Sequence, residues 1–262
     1  MEKLTVIKIG GNVIDNSESL TAFLDDFASV KGPKILVHGG GKIASKLAND
    51  LGIKATLVEG RRITDKETLR IVTMVYAGYV NKTIVALLQA RNCNALGLSG
   101  ADGNAILAQK RPVTTIDYGF VGDLKPKAVN MPLLTNLLKN GFTPIFSAIT
   151  HDGKGQLLNT NADTIASSVA ISLSKIYQSS LVYCFEKKGV LKDKDDDQSL
   201  IPEIKTDNLT SLQEKGIISD GMIPKLHNAF EAIHQGVHEV FIGNSQELGL
   251  LHKGKFGTRL CK

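Results

Sequence analysis

The chain has 262 residues, 42% apolar and 22% charged, with a net charge of +5. That length suits one large α/β domain or two closely joined lobes, and the charge is too weak and dispersed for nucleic-acid binding, although it favours small anionic ligands. Three cysteines, Cys93, Cys184 and Cys261, lie far apart with no Cys-x-x-Cys, so no zinc site or disulfide framework follows from them and a reducing compartment is expected.

Leu4 to Ile9 reads as a buried strand, short and interrupted by Lys8, running into Gly10-Gly11. No stretch reaches the ~18–20 apolar residues that span a bilayer, and no signal peptide is present, so a cytoplasmic protein without a membrane partner is expected. A helix from Ser19 to Val30 follows, then a strand Ile35–Val37, which passes through His38 into Gly39-Gly40-Gly41 and a helix from Lys42 to Leu51. A strand emptying through bare backbone into a helix start makes an anion site, because the first N–H groups are unpaired and carry the positive end of the helix dipole. A third strand is expected at 55–58 and a long amphipathic helix from Asp65, its N-cap, to about Arg91. Asn94–Leu98 reads as a strand. Between Gly100 and Asn130, short apolar pieces (Ala105–Ala108, Phe120–Leu124) alternate with glycine and proline, the texture of hairpins near a sheet edge.

A helix at 132–140, a strand at 142–147, a turn at Asp152–Gly155, a helix from Ala162 to Ser174 and a strand at 176–185 complete the middle of the chain. A charged loop, a helix at 220–236 and a last strand Glu239–Ile242 end it. Repeated βα units predict an α/β fold, a three-layer αβα sandwich around a mostly parallel sheet. The change of texture near 175–180 predicts an N-terminal lobe, 1–175, and a C-terminal lobe, 176–262, on one continuous sheet. Ligands then sit beyond the carboxyl ends of the strands, where Gly10-Gly11 and Gly39–Gly41 fall.

Taken alone, Gly39-x-Gly41-x-x-Ala44 matches a dinucleotide fingerprint, with Glu59 about twenty residues on as its ribose acid. That reading, a dinucleotide-dependent oxidoreductase, leaves other features unexplained. Lys8 inside an apolar strand requires an anionic partner or an exit to water. Capping accounts for Asn161, but not for Asn159 and Asp163 beside it. Lys225, after Pro224, stands at a helix start that prefers anions, which makes sense where a phosphate also binds. Arg62 is a loop arginine suited to a carboxylate. Walker A and protein-kinase signatures are absent.

Together, Lys8-x-Gly10-Gly11, His38-Gly39-Gly40-Gly41, Gly60-x-Arg62-Ile63-Thr64, Asn159-x-Asn161-Ala162-Asp163 and Asp220-Gly221-Met222-x-x-Lys225 resemble the acetylglutamate kinases of the amino-acid kinase family, over nearly the whole chain as far as Gly257-Thr258-Arg259. The resemblance implies transfer of the γ-phosphoryl of ATP, with Mg²⁺ bound through its phosphates, to the side-chain carboxylate of an N-acyl-L-glutamate in arginine biosynthesis. N-acetyl is the family default, and N-succinylglutamate or another acylated acidic amino acid is the alternative. The implied catalytic residues are Lys8, Lys225 and Asp163. Gly10, Gly11 and Gly40 bind the phosphoryl group, and Gly40, Gly41, Arg62 and Asn159 the acylated amino acid. Glu186, Lys187, Gly189, Leu191, Ile217, Ile218 and Ser219 bind the nucleotide, and no protein metal site is expected.

Two departures stand out. The family usually carries a hydroxyl-Asp pair before the Val-x-Gly of the nucleotide loop, where this chain has Phe185-Glu186. The family's arginine-inhibited hexamers have an extra helix before the first strand, whereas here that strand starts by residue 4. The resemblance therefore implies a homodimer on the long 65–91 helix without that control.

Overall fold

The computed structural model describes all residues except 54–55, 59–60, 194, 210–211 and 213–221, and only the backbone of Arg61. In chain order the elements are β1 (Lys3–Ile9), α1 (Gly11–Ile14), α2 (Ser17–Ser29), β2 (Lys34–His38), α3 (Gly41–Asp50), β3 (Leu57–Val58), β4 (Arg61–Arg62), α4 (Lys66–Val72), a π-helical segment Thr73–Val80, and α5 (Asn81–Gln89). There follow β5 (Ala95–Leu98), β6 (Gln109–Lys110), β7 (Val121–Asp123), α6 (Met131–Lys139), β8 (Thr143–Ser147), β9 (Ile149–His151), β10 (Leu157–Thr160), α7 (Ala162–Leu173), β11 (Gln178–Phe185), β12 (Glu203–Lys205), a helix here called α8 (Ile223–His234), β13 (Glu239–Asn244) and β14 (Thr258–Cys261).

Eight strands form the central sheet in the order β12-β14-β13-β11-β1-β2-β8-β5. All neighbours are parallel except β13 and β14. Helices α2 and α5 cover one face and α6, α7 and α8 the other, so the α/β sandwich expected from the alternating pattern is observed. Burial on both faces explains why β2 reads as an unbroken buried run, not an alternation. Its one charged residue, Lys34, donates to the carbonyl oxygens of Phe27, Ala28 and Val30 at 2.6–2.9 Å. The ammonium thus serves the orphan carbonyls at the end of α2.

Several boundaries move for identifiable reasons. Helix α2 starts at Ser17, ahead of the expected Ser19, because the Asn16 side chain accepts from the Ser19 N–H at 2.8 Å. The Asp65 cap forms as expected, accepting from the Thr68 N–H at 2.7 Å. The expected strand at Ala105–Ala108 is not a ladder. Its N–H groups at Ile106, Leu107 and Ala108 bond to carbonyls of Gly100, Ala128 and His151 in three different segments. The pairing falls one step later, at Gln109–Lys110, in a separate four-stranded sheet β6-β7-β10-β9.

Among the described residues one helix, Lys66–Gln89, is long and apolar enough by length and composition to cross a membrane. Its Leu69, Val72, Val75, Val80, Ile84 and Leu88 are instead part of the hydrophobic core.

Candidate active site

The parallel strands β1, β2 and β11 end on one side of the sheet, and each end releases a different piece of the site. β1 opens into Gly10-Gly11 and α1, β2 into Gly39–Gly41 and α3, and β11 ends on Phe185 before Glu186. A cavity of about 670 Å³ lies between them, walled by Gly10, Gly11, Gly41 and Arg62 on one side. Glu186, Lys187, Gly189 and Lys225 wall the other.

Lys8 lies beside Tyr183 in the β1–β11 register, and its ammonium is 2.9 Å from Oδ1 of Asp163. Asp163 is held in the first turn of α7 because Oδ1 of Asn161 accepts from the backbone N–H groups of Asp163 and Thr164. Lys225 stands in the first turn of α8, where Pro224 fits because it forgoes an N–H that has no helical partner there. Both ammonium groups face one aromatic ring. Nζ of Lys225 is 4.1 Å and Nζ of Lys8 is 5.5 Å from the centroid of Phe185. Loss of hydration lowers the pKa of Lys225; Asp163 opposes the shift and Lys8 adds to it.

The glycine loop is held from beneath. Gly40 has φ +150°, and a Cβ there would meet Cδ1 of Tyr76 at 2.9 Å; only glycine combines that backbone with that approach. Arg62, buried, donates from Nη2 to the Gly41 carbonyl at 2.9 Å and to Oγ of Ser45 at 2.7 Å. Asn159 donates to Oγ1 of Thr64 at 3.0 Å, whose hydroxyl donates to the Arg62 carbonyl. The ring of His38 bridges Asn81 and the loop: Nε2 accepts from the Asn81 amide at 3.0 Å and Nδ1 donates to the Gly39 carbonyl at 2.8 Å. Complete burial is the main cause that takes its pKa down to about 4; the Gly39 carbonyl opposes this and Lys82 adds to it. His38 is therefore a neutral strut, with both ring nitrogens committed.

On the opposite wall, the Asn12 amide donates to the Glu186 carboxylate, and the Asn244 amide donates to the Glu186 carbonyl at 2.9 Å. The loop after β11 is thereby tied to the loop after β1. Gly189 is tightly packed as well as cavity-lining, since a Cβ would lie 2.7 Å from Oγ1 of Thr258. Leu191 does not line the cavity and instead bridges to Leu200. Ile217, Ile218 and Ser219, with Glu59, Gly60, Asp220 and Gly221, lie outside the described residues.

Asn12, Tyr76, Asn81 and the ring of Phe185 join the site although the motifs do not name their roles. Asn81 carried a signal, being an amide inside an apolar helical run. Tyr76 carried none, because an aromatic in that run reads as core.

Residues 3–244 match the family model for the amino acid kinase family. The chain belongs to the amino acid kinase family. It is 55% identical to an acetylglutamate kinase of Cytophaga hutchinsonii, over 99% of both chains, and 54% identical to one of Parabacteroides distasonis, over 99% of this chain and all of that one. Among solved structures, the N-acetylglutamate synthase of Neisseria gonorrhoeae complexed with coenzyme A and N-acetyl-glutamate shares the fold with a TM-score of 0.81 at 23% identity, over all of this chain and 59% of that one.

For an amino acid kinase the geometry has a clear chemical sense. Two ammonium groups and one carboxylate gather at the strand ends beside Phe185, and Lys225 shares the cavity lining with Gly10, Gly11 and Gly41. Such an arrangement can screen an anionic ligand. The dinucleotide reading of Gly39-x-Gly41-x-x-Ala44 gives way to membership of the amino acid kinase family.

Proposed function

We infer that this chain is an acetylglutamate kinase, transferring the γ-phosphoryl group of ATP to the side-chain carboxylate of N-acetyl-L-glutamate in arginine biosynthesis. The observation that carries this is 55% identity to an acetylglutamate kinase across 99% of both chains. A carboxylate oxygen forms a bond to the γ-phosphorus while the bond from that phosphorus to the β,γ-bridging oxygen breaks, leaving ADP and an acyl phosphate. A glutamate side chain, with a pKa of about 4.3, is already ionised at neutral pH, so no general base is needed. The locked, neutral His38 is in keeping with that. Catalysis consists of in-line positioning and charge screening.

In this reading Lys8 and Lys225 neutralise charge on the transferring and leaving phosphates, and Asp163 holds Lys8 in place. Gly10, Gly11 and Gly40 donate N–H groups to the phosphoryl group. Gly41, Arg62 and Asn159 hold the acylated amino acid in the N-terminal lobe, 1–175. ATP lies in the C-terminal lobe, 176–262, along Glu186, Lys187 and Gly189. The described residues hold no cluster of three or more metal-ligating side chains, and the reading has Mg²⁺ arrive on the ATP phosphates, keeping several waters. Met74 and Tyr79, exposed on the π-helical segment, support a homodimer built on the long helix. A cytoplasmic location fits the three unpaired cysteines.

The test is a coupled assay of ADP release with a panel of N-acylated acidic amino acids. N-acetyl-L-glutamate should give the highest kcat/KM, and its failure to be phosphorylated, or a clear preference for the N-succinyl compound, would overturn the assignment of substrate.

A further inference from the structure

The two catalytic ammonium groups present an electrostatic problem that the Lys8–Asp163 ion pair alone does not solve. Two like charges converge on the same space, and Asp163, one carboxylate, serves both. Lys225 is placed there from α8, at a helix end whose dipole also disfavours a cation. What the two lysines share is a ring. Phe185 lies two residues past Tyr183 on β11, on the face of the sheet that also carries Lys8. Its ring is stacked on that of Tyr183 with centroids 6.2 Å apart and planes at 26°. Both ammonium groups lie within ~6 Å of its centroid, the range in which the negative face of an aromatic ring attracts a cation.

We propose that Phe185 is a positioning residue for phosphoryl transfer: its ring face is the common seat that holds the Lys225 ammonium in register with the Lys8–Asp163 pair. The proposal rests on the kinase reading and goes beyond it. The resemblance led to a small hydroxyl residue at this place and left Phe185 as an unexplained departure. A bland alternative is available: Phe185 fills space against Tyr183 and the lysines merely lie over it. The two differ in one respect, since filling depends on the shape of the ring and seating depends on its electron density.

The experiment replaces Phe185 with 4-fluoro-, 3,5-difluoro- and 3,4,5-trifluorophenylalanine, which progressively withdraw density from the ring face with little change of shape. Two quantities are read in each variant: kcat with N-acetyl-L-glutamate and ATP, and the titration midpoint of the Lys225 ammonium followed by the NMR shift of its ε-carbon. Asp163 from α7 and Lys8 from β1 are the charged groups that act on that ammonium, and both are unchanged along the series. The expected result is a stepwise fall in kcat reaching about tenfold, the scale set by a partly desolvated cation–π contact. The Lys225 midpoint should fall in step, with KM for N-acetyl-L-glutamate unchanged. F185L, which keeps bulk but removes the ring, should lose at least as much kcat as the trifluoro variant. A kcat indifferent to fluorination overturns the proposal even if F185L is impaired, and an unmoved Lys225 midpoint overturns it independently of turnover. Absence of turnover in the unmodified protein would count against the kinase reading, and the Lys225 titration would still decide the seat.

Discussion

The side-chain amide of Asn81 lies 3.0 Å from Nε2 of His38, a contact across 43 residues of sequence. It joins the long helix to the glycine loop through one imidazole, because Nδ1 of the same ring donates to the Gly39 carbonyl. The neutral ring is the only protonation state that satisfies both partners with one donor and one acceptor.

A pH dependence follows from that ring. Burial holds its pKa at about 4 in the folded protein, below the usual 6.5 of histidine, so the unfolded chain binds a proton that the native state refuses. The contribution is therefore complete above about pH 6.5 and is lost as pH falls towards 4. Between pH 7 and pH 5 the native state should lose about 2 kcal/mol from this group alone. Urea unfolding at the two pH values measures it, and the His38→Gln variant should lack that part of the acid slope.

Lys8→Ala and Lys225→Ala should each lower kcat by about a hundredfold, the scale of losing one preorganised donor to a developing charge, ~3 kcal/mol. KM for N-acetyl-L-glutamate should change little, because the glycine loop and Arg62 remain. Steady-state kinetics decide this, and an unchanged kcat in either variant would remove the charge-screening role.

Arg62→Lys should act on binding instead. The guanidinium spans the Gly41 carbonyl and the Ser45 hydroxyl at once, a planar fork that an ammonium does not reproduce. KM for the acylated amino acid should rise about tenfold, on the order of one charge-assisted hydrogen bond, with kcat within about threefold of the unmodified protein. A KM within twofold would count against the assignment.

Gly40→Ala should be costly in stability and in binding. The new Cβ meets Tyr76 at 2.9 Å on a backbone with φ +150°, so either the loop or the tyrosine must move. A loss of about 2 kcal/mol in chemical unfolding is expected from the strain. Tyr76→Leu should relieve the clash but not the backbone cost, so the double variant should recover only part of the stability.

The main sheet was legible where burial on both faces left an unbroken apolar run, as in β2, and where a cap residue marked a helix start, as at Asp65. The π-helical segment was not, because Thr73–Val80 has the composition of an ordinary apolar helix and the change of pitch has no residue signature. Its effect is to place Tyr76 under Gly40 and Asn81 against His38. In the site, lysines and glycines at strand ends were readable because each is out of place unless an anion arrives. The seat beneath the two lysines was not, since a phenylalanine closing a strand is unremarkable until two cations are found over it. The order of the strands was also hidden: nothing in residues 176–185 states that they pair with β1.

That pairing has a consequence for how the chain is made. β1 emerges well before β11, and one of its edges is covered as soon as β2 emerges. The other waits for β11, in register from Lys3 opposite Gln178 to Ile9 opposite Cys184. Between the emergence of β2 and that of β11 the nascent chain therefore carries an open, apolar strand edge at what becomes the middle of the sheet, the kind of surface that pairs with the wrong neighbour. The centre of the finished enzyme is its most exposed seam while it is being born.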